Sequence, residues 1–94
     1  MWCKLHIRGR VQGVGFRYHS RRQAQHLGLH GFVRNLANGQ VELVLVGDEQ
    51  AIASLRAWLE QGGPPLSHIT EITSLPCLDD DFHYLQNQPN FTIR

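Results

Sequence analysis

Three glycines fall within the seven residues from Gly9 to Gly15, and they separate two segments of different hydrophobic period. Before them, Cys3, Leu5 and Ile7 alternate with Lys4, His6 and Arg8, the period of a strand with one face on a core. After them, Phe16, Ser20, Ala24 and Leu27 recur at helical spacing, and Gly28 is placed to cap the helix C-terminus. Neither regular element continues comfortably through so much glycine, so the stretch reads as a shaped loop joining strand to helix.

The remaining elements follow by the same reasoning. Phe32, Arg34 and Leu36 alternate with Gly31, Val33 and Asn35, and Asn38-Gly39 gives the two-residue signal for a tight hairpin into Val41, Leu43 and Leu45. Asp48 can cap a second helix whose inward stripe is Ile52, Leu55 and Leu59, and Gly62-Gly63-Pro64-Pro65 stops it. Ile69 to Leu75 reads as a strand in which Ile69 and Ile72 break strict alternation, which predicts a bulge. Phe91-Thr92-Ile93-Arg94 is a short closing strand, and the stretch from Leu78 to Pro89 has no clear period and is expected to be an exposed loop. The order βαββαβ plus a C-terminal strand predicts an α+β, ferredoxin-like sandwich: an antiparallel sheet with two helices on one face.

A chain of 94 residues fits one domain, residues 1–94, because two separate cores would each be too small to be stable. With 41% hydrophobic and 18% charged residues, it has the apolar mass for that core and too little charge for a disordered tail. A formal net charge of +1 supplies no global field toward nucleic acid or an anionic membrane, so any anion site must be local. No apolar run approaches the length of a membrane span, and a cytoplasmic location is expected. Cys3 and Cys77 lie in no metal-binding pair; reduced thiols are the default, and a bridge would require antiparallel pairing of the first and last long strands.

A glycine-rich loop leading into a helix can aim successive backbone N–H groups at one point, where the helix dipole also favours an anion. Arg17, at the end of the loop, offers a planar fork of donors that matches two phosphate oxygens at once. The same residues also suit a loop that merely turns and an arginine that is merely solvated. The loop is neither G-x-G-x-x-G nor G-x-x-x-x-G-K-[ST], which argues against dinucleotide and P-loop binding. His26 and His30 are four apart, but Gly28 between them breaks the helix that joint metal ligation requires, and Asp79-Asp80-Asp81 reads as a solvated run. No metal or other cofactor is expected. Trp2 and Trp58 read as packing residues.

The stretch Gly9-Arg10-Val11-Gln12-Gly13-Val14-Gly15-Phe16-Arg17 resembles the first signature of the acylphosphatase family, G-x-V-Q-G-V-x-F-R. Gly31-Phe32-Val33-Arg34-Asn35, followed by Gly39, Val41 and Gly47, resembles the second. Ala24, Leu27-Gly28-Leu29 and the closing Phe91 to Arg94 are similar as well, and the likeness is weakest from Pro76 to Pro89. The resemblance implies hydrolysis of acyl phosphates by in-line attack of water, without a covalent phosphoenzyme. It also implies a phosphate cradle of Val11, Gln12, Gly13, Val14, Gly15, Phe16 and Arg17, and an Asn35 that holds the water. Inorganic phosphate or sulfate should compete for the cradle.

Two rival readings remain at this level. The acylphosphatase-like domain of a carbamoyltransferase hydrogenase-maturation protein uses a similar loop, but the sequence stops at Arg94 with no zinc-finger cysteines after it, and a free-standing enzyme is expected. An RNA-binding module shares the element order, yet Val41 to Val46 contains no aromatic residue to stack a base. A monomer acting on a small acyl phosphate, with no nucleic-acid or membrane partner, is the expectation.

Overall fold

The structure, a computed structural model, describes residues 1–75 and 90–94. Its elements are β1 (Trp2–Arg10), α1 (Phe16–His26), β2 (His30–Asn35), β3 (Val41–Val46), α2 (Glu49–Glu60), β4 (His68–Ser74) and β5 (Phe91–Ile93). The sheet order is β4-β1-β3-β2-β5, the expected ferredoxin-like arrangement. The first four strands in that order pair antiparallel, while β5 adds a parallel edge to β2.

The alternation of β1 places Cys3, Leu5 and Ile7 in a fully buried core with Leu43, Leu45, Ala24, Ile52, Leu55 and Phe91. Burying a Leu or Ile side chain is worth roughly 1.5–3 kcal/mol, so this face supplies the main favourable term for folding. The opposite face carries a smaller cluster of Phe32, Val44 and Val46, with Trp2 against it. Trp58 packs on the main core from α2, as its packing role predicts.

Several local expectations are refined. The Asn38-Gly39 hairpin is wider than the two-residue type: Leu36 N–H donates to Gln40 O at 2.8 Å, and Gly39 N–H to Leu36 O at 3.2 Å, enclosing Ala37 to Gly39. A type I′ turn needs positive φ at both central residues, but only Gly39 has it, at 89°, while Asn38 keeps negative φ and accepts from Gln40 N–H through Oδ1. Asp48 sits at the N-cap of α2 without a side-chain capping bond. The bulge in β4 is real: Arg8 pairs with Glu71 and Gly9 with Ile69, leaving Thr70 as the extra residue. Gly9 allows that approach, since a Cβ there would collide with the His68 carbonyl.

α1 ends at His26, and Gly28 follows in the left-handed region, so His26 and His30 lie on different elements. Cys3 is disulfide-bonded rather than a reduced thiol. The antiparallel pairing of β1 with β4 returns the chain along the start of β1, where Leu75 N–H donates to Lys4 O at 3.0 Å. Cys77, Asp79-Asp80-Asp81 and the loop expected from Leu78 to Pro89 lie outside the described residues.

Candidate active site

β1 and β2 both pair antiparallel with β3, so they run in the same direction and end at the same edge of the fold. Val41 is the partner of both Ile7 and Asn35, which sets Asn35 level with Ile7 two strand spacings away, about 10 Å. Because Ile7 and Val41 face the helix-covered core, Asn35 belongs to that same side, and its side chain at the strand end is exposed.

Residues 11–15 leave β1 at this edge. Val11 and Phe16, each 1% exposed, pin the two ends of the loop into the core, and Val14 packs partly against it. Gly13 and Gly15 have φ of 77° and 78°. A Cβ at Gly13 would meet nothing, so sign of φ rather than space requires glycine there. With its apolar side chains turned inward, the loop presents its backbone outward.

Gly15 is also the N-cap of α1 and has no side chain with which to cap it. The first intrahelical donor is His19 N–H, bonded to Gly15 O at 3.1 Å, so the N–H groups of Phe16, Arg17 and Tyr18 have no acceptor within the helix. No acidic residue occupies the first turn, which leaves the positive end of the helix uncompensated. Arg17 stands exposed at this end, and a cavity of about 180 Å³ is lined by Gly13, Gly15, Phe16, Arg17, Tyr18 and Ile93. Larger grooves near 420 Å³ lie between α1 and α2 and along α2, but the first is away from the N-terminus of either helix and the second is lined by the acidic Glu49 in the first turn of α2. Volume alone therefore does not mark the site.

What ties the loop to Asn35 is the Gln12 side chain. Its amide donates to Leu36 O at 2.9 Å and to Gln40 O at 2.8 Å, the two residues that close the β2–β3 hairpin immediately after Asn35. Sequence reasoning assigned Gln12 to the cradle through its backbone and missed this strut. A polar amide between Val11 and Gly13 was the available sign, but its acceptors are 24 and 28 residues away. Tyr18 and Ile93, which wall the cavity, were also missed, because only the parallel docking of β5 brings Ile93 level with Val33 and so near Asn35.

A family model for acylphosphatase matches residues 3–90. The chain is 52% identical over 68 residues to an acylphosphatase of Thermococcus kodakarensis, spanning 72% of this chain and 74% of that one. The solved acylphosphatase of Bacillus subtilis superposes with a TM-score of 0.80 at 33% identity, covering 99% of this chain and 97% of its own. The HypF protein of T. kodakarensis superposes with a TM-score of 0.79 at 30% identity over the whole of this chain, but over only 12% of HypF. On these likenesses, and with both signatures converging at one edge of a ferredoxin-like sheet, the chain belongs to the acylphosphatase family.

Proposed function

We propose that this chain performs acyl phosphate hydrolysis with Arg17 as the phosphate ligand and Asn35 as the residue that orients the attacking water. The N–H groups from the loop and the first turn of α1 would surround the phosphoryl oxygens, and the Arg17 fork would hold two of them. Water attacks phosphorus in line with the acyl oxygen, and the P–O bond to the acyl group breaks with its electron pair leaving on the carboxylate. The water proton passes to a phosphoryl oxygen, since no carboxylate or imidazole is among the described residues lining the cavity. A carboxylate is a good leaving group and needs no general acid, so positioning and charge stabilisation suffice.

The observation that carries this reading is the pair of Gln12 bonds, which fasten the anion cradle to the hairpin bearing Asn35. Assays on benzoyl phosphate and on a simple phosphate monoester test it. Rapid hydrolysis of the first and near inertness toward the second are expected; comparable rates on both would overturn it, because an alkoxide leaving group needs acid help absent from the proposed machinery. Inorganic phosphate or sulfate should compete with substrate.

The same reading takes residues 1–94 as one domain, monomeric, without a nucleic-acid or membrane partner; RNA at moderate salt should leave the Trp fluorescence unchanged. No helix among the described residues is long and apolar enough to cross a membrane. A cytoplasmic location is part of the proposal, and the Cys3 disulfide is the observation that opposes it, because cytosolic glutathione keeps thiols reduced. Cell fractionation with thiol alkylation decides between them.

A further inference from the structure

The phosphate accounts for one wall of the cavity at the loop. Gly13, Gly15, Phe16 and Arg17 of the loop and helix start form one side, and the remaining lining residues are Tyr18 and Ile93, which bring an aromatic and a branched apolar side chain. Tyr18 is 46% exposed, one of few large apolar side chains left uncovered among the described residues, and it immediately follows Arg17. Ile93 is half-buried: β5 pairs parallel with β2 so that Ile93 lies beside Val33, two residues before Asn35.

The ring is also held in place. Arg21 and Arg22 put their guanidinium carbons 5.7 and 5.8 Å from its centroid, and Arg22 Nη1 is 3.5 Å from the Tyr18 hydroxyl. His19 meets it edge-on at 5.2 Å with an interplanar angle of 80°. These contacts all come from neighbouring residues of α1, and Tyr18 nevertheless stays 46% exposed next to Arg17. An exposed aromatic surface that is already ordered costs little further entropy when a ligand packs on it.

We infer that Tyr18 and Ile93 form the acyl subsite of this enzyme, and that it selects acyl phosphates whose acyl group is a compact aromatic or branched apolar body. The inference rests on the acylphosphatase reading and adds to it the half of the substrate that the phosphate cradle does not touch. At about 180 Å³ the cavity is smaller than the roughly 300–1,000 Å³ that encloses a drug-sized ligand, so it takes a phosphoryl group and little more than one ring. Longer acyl chains project beyond Tyr18 without further contact. Contact with a ring adds to ground-state and transition-state binding alike, so the subsite acts on KM rather than on kcat.

Steady-state kinetics on benzoyl phosphate and acetyl phosphate test the subsite. The ratio of kcat/KM for benzoyl over acetyl phosphate should fall about tenfold in Tyr18→Ala, the scale of one lost aromatic contact, with the change in KM for benzoyl phosphate. Tyr18→Phe should restore the ratio, because it keeps the ring and drops only the hydroxyl. Ile93→Ala should lower it severalfold. A ratio unchanged in Tyr18→Ala, or lowered through kcat alone, overturns the subsite. Wild-type protein inert toward both substrates would instead overturn the acylphosphatase reading, so the two failures are distinct.

Discussion

Arg17 and Arg34 are both exposed arginines next to the ends of elements, and their surroundings are opposite. Arg34, on the outer face of β2, donates through Nε to Glu42 Oε1 at 2.8 Å, and the other oxygen of that carboxylate lies 2.8 Å from His6 Nε2. Glu42 is almost completely buried, so the outer face closes its charges on one another. At the loop edge, α1 has no acid in its first turn, and among the described residues Arg17 takes part in no ion pair. One region ties its cation into the fold, and the other leaves it exposed and outside any ion pair among the described residues.

The largest expected effect breaks the open side of this comparison. Arg17→Ala should reduce kcat/KM on the order of a thousandfold, and Arg17→Lys nearly as much, because a lysine keeps the charge but cannot grip two oxygens in the plane of a fork. Benzoyl phosphate kinetics on the two variants decide the matter. An Arg17→Lys enzyme close to wild type would mean that charge alone suffices and that the geometry of the cradle is irrelevant.

Asn35→Ala should lower kcat on the order of a hundredfold while leaving inorganic phosphate binding largely intact, since a neutral amide positions water without repelling the anion. Inhibition by phosphate, circular dichroism and turnover on this variant separate the roles. Normal turnover would remove Asn35 from the reaction, and lost phosphate inhibition would make it a ligand of the anion.

Gln12 sharpens the contrast between local and long-range information. The loop was legible because glycine spacing, a preceding alternation and a following helical period are all local signals, but its bounds were read too wide: β1 runs on through Gly9 to Arg10, where Gly9 serves the bulge, and Arg17 already lies in α1. The helix stripes and the strands were legible for the same reason. The bond from Gln12 to the hairpin, the parallel docking of β5 and the three-residue width of the Asn38-Gly39 turn were not, since each depends on which strands become neighbours or on a φ angle that Asn can adopt with either sign. Asn35 was identified from resemblance; periodicity gave only its place late in a strand.

Replacing Gln12 by Ala leaves no orphaned acceptor, because Leu36 O still accepts from Gly39 N–H and Gln40 O from Leu36 N–H. The stability cost should therefore stay near 1–2 kcal/mol for two lost hydrogen bonds, while kcat falls roughly tenfold as the cradle shifts against Asn35. Gln12→Glu should be worse, since a carboxylate cannot donate to two carbonyls and adds negative charge beside the phosphate. Thermal melts alongside kinetics would expose a purely structural role as a loss of stability with unchanged turnover.

The smallest expected effect tests the closed side, and it is on stability rather than catalysis. Burial by itself would raise the Glu42 pKa, but hydrogen bonds from His6 and Arg34 and the charges of Arg34 and Lys4 outweigh it and hold the carboxyl below its ordinary value. A carboxyl depressed in the folded state stabilises the protein fully above the unfolded-state pKa of roughly 4.3, and that contribution is lost as the pH falls below it and through the folded value. Glu42→Gln should thus be less stable than wild type at pH 7 by about 1–2 kcal/mol, less than for a fully buried pair because the Arg34 side chain is 49% and the His6 side chain 32% exposed. Urea unfolding at pH 7, 5, 4 and 3 should show this difference shrinking toward zero at the acid end, with benzoyl phosphate turnover at pH 7 close to wild type throughout. A difference that stays constant across the series would assign the loss to packing around residue 42 and not to its charge, and a large loss of turnover would join the outer face to the proposed site at Arg17 and Asn35.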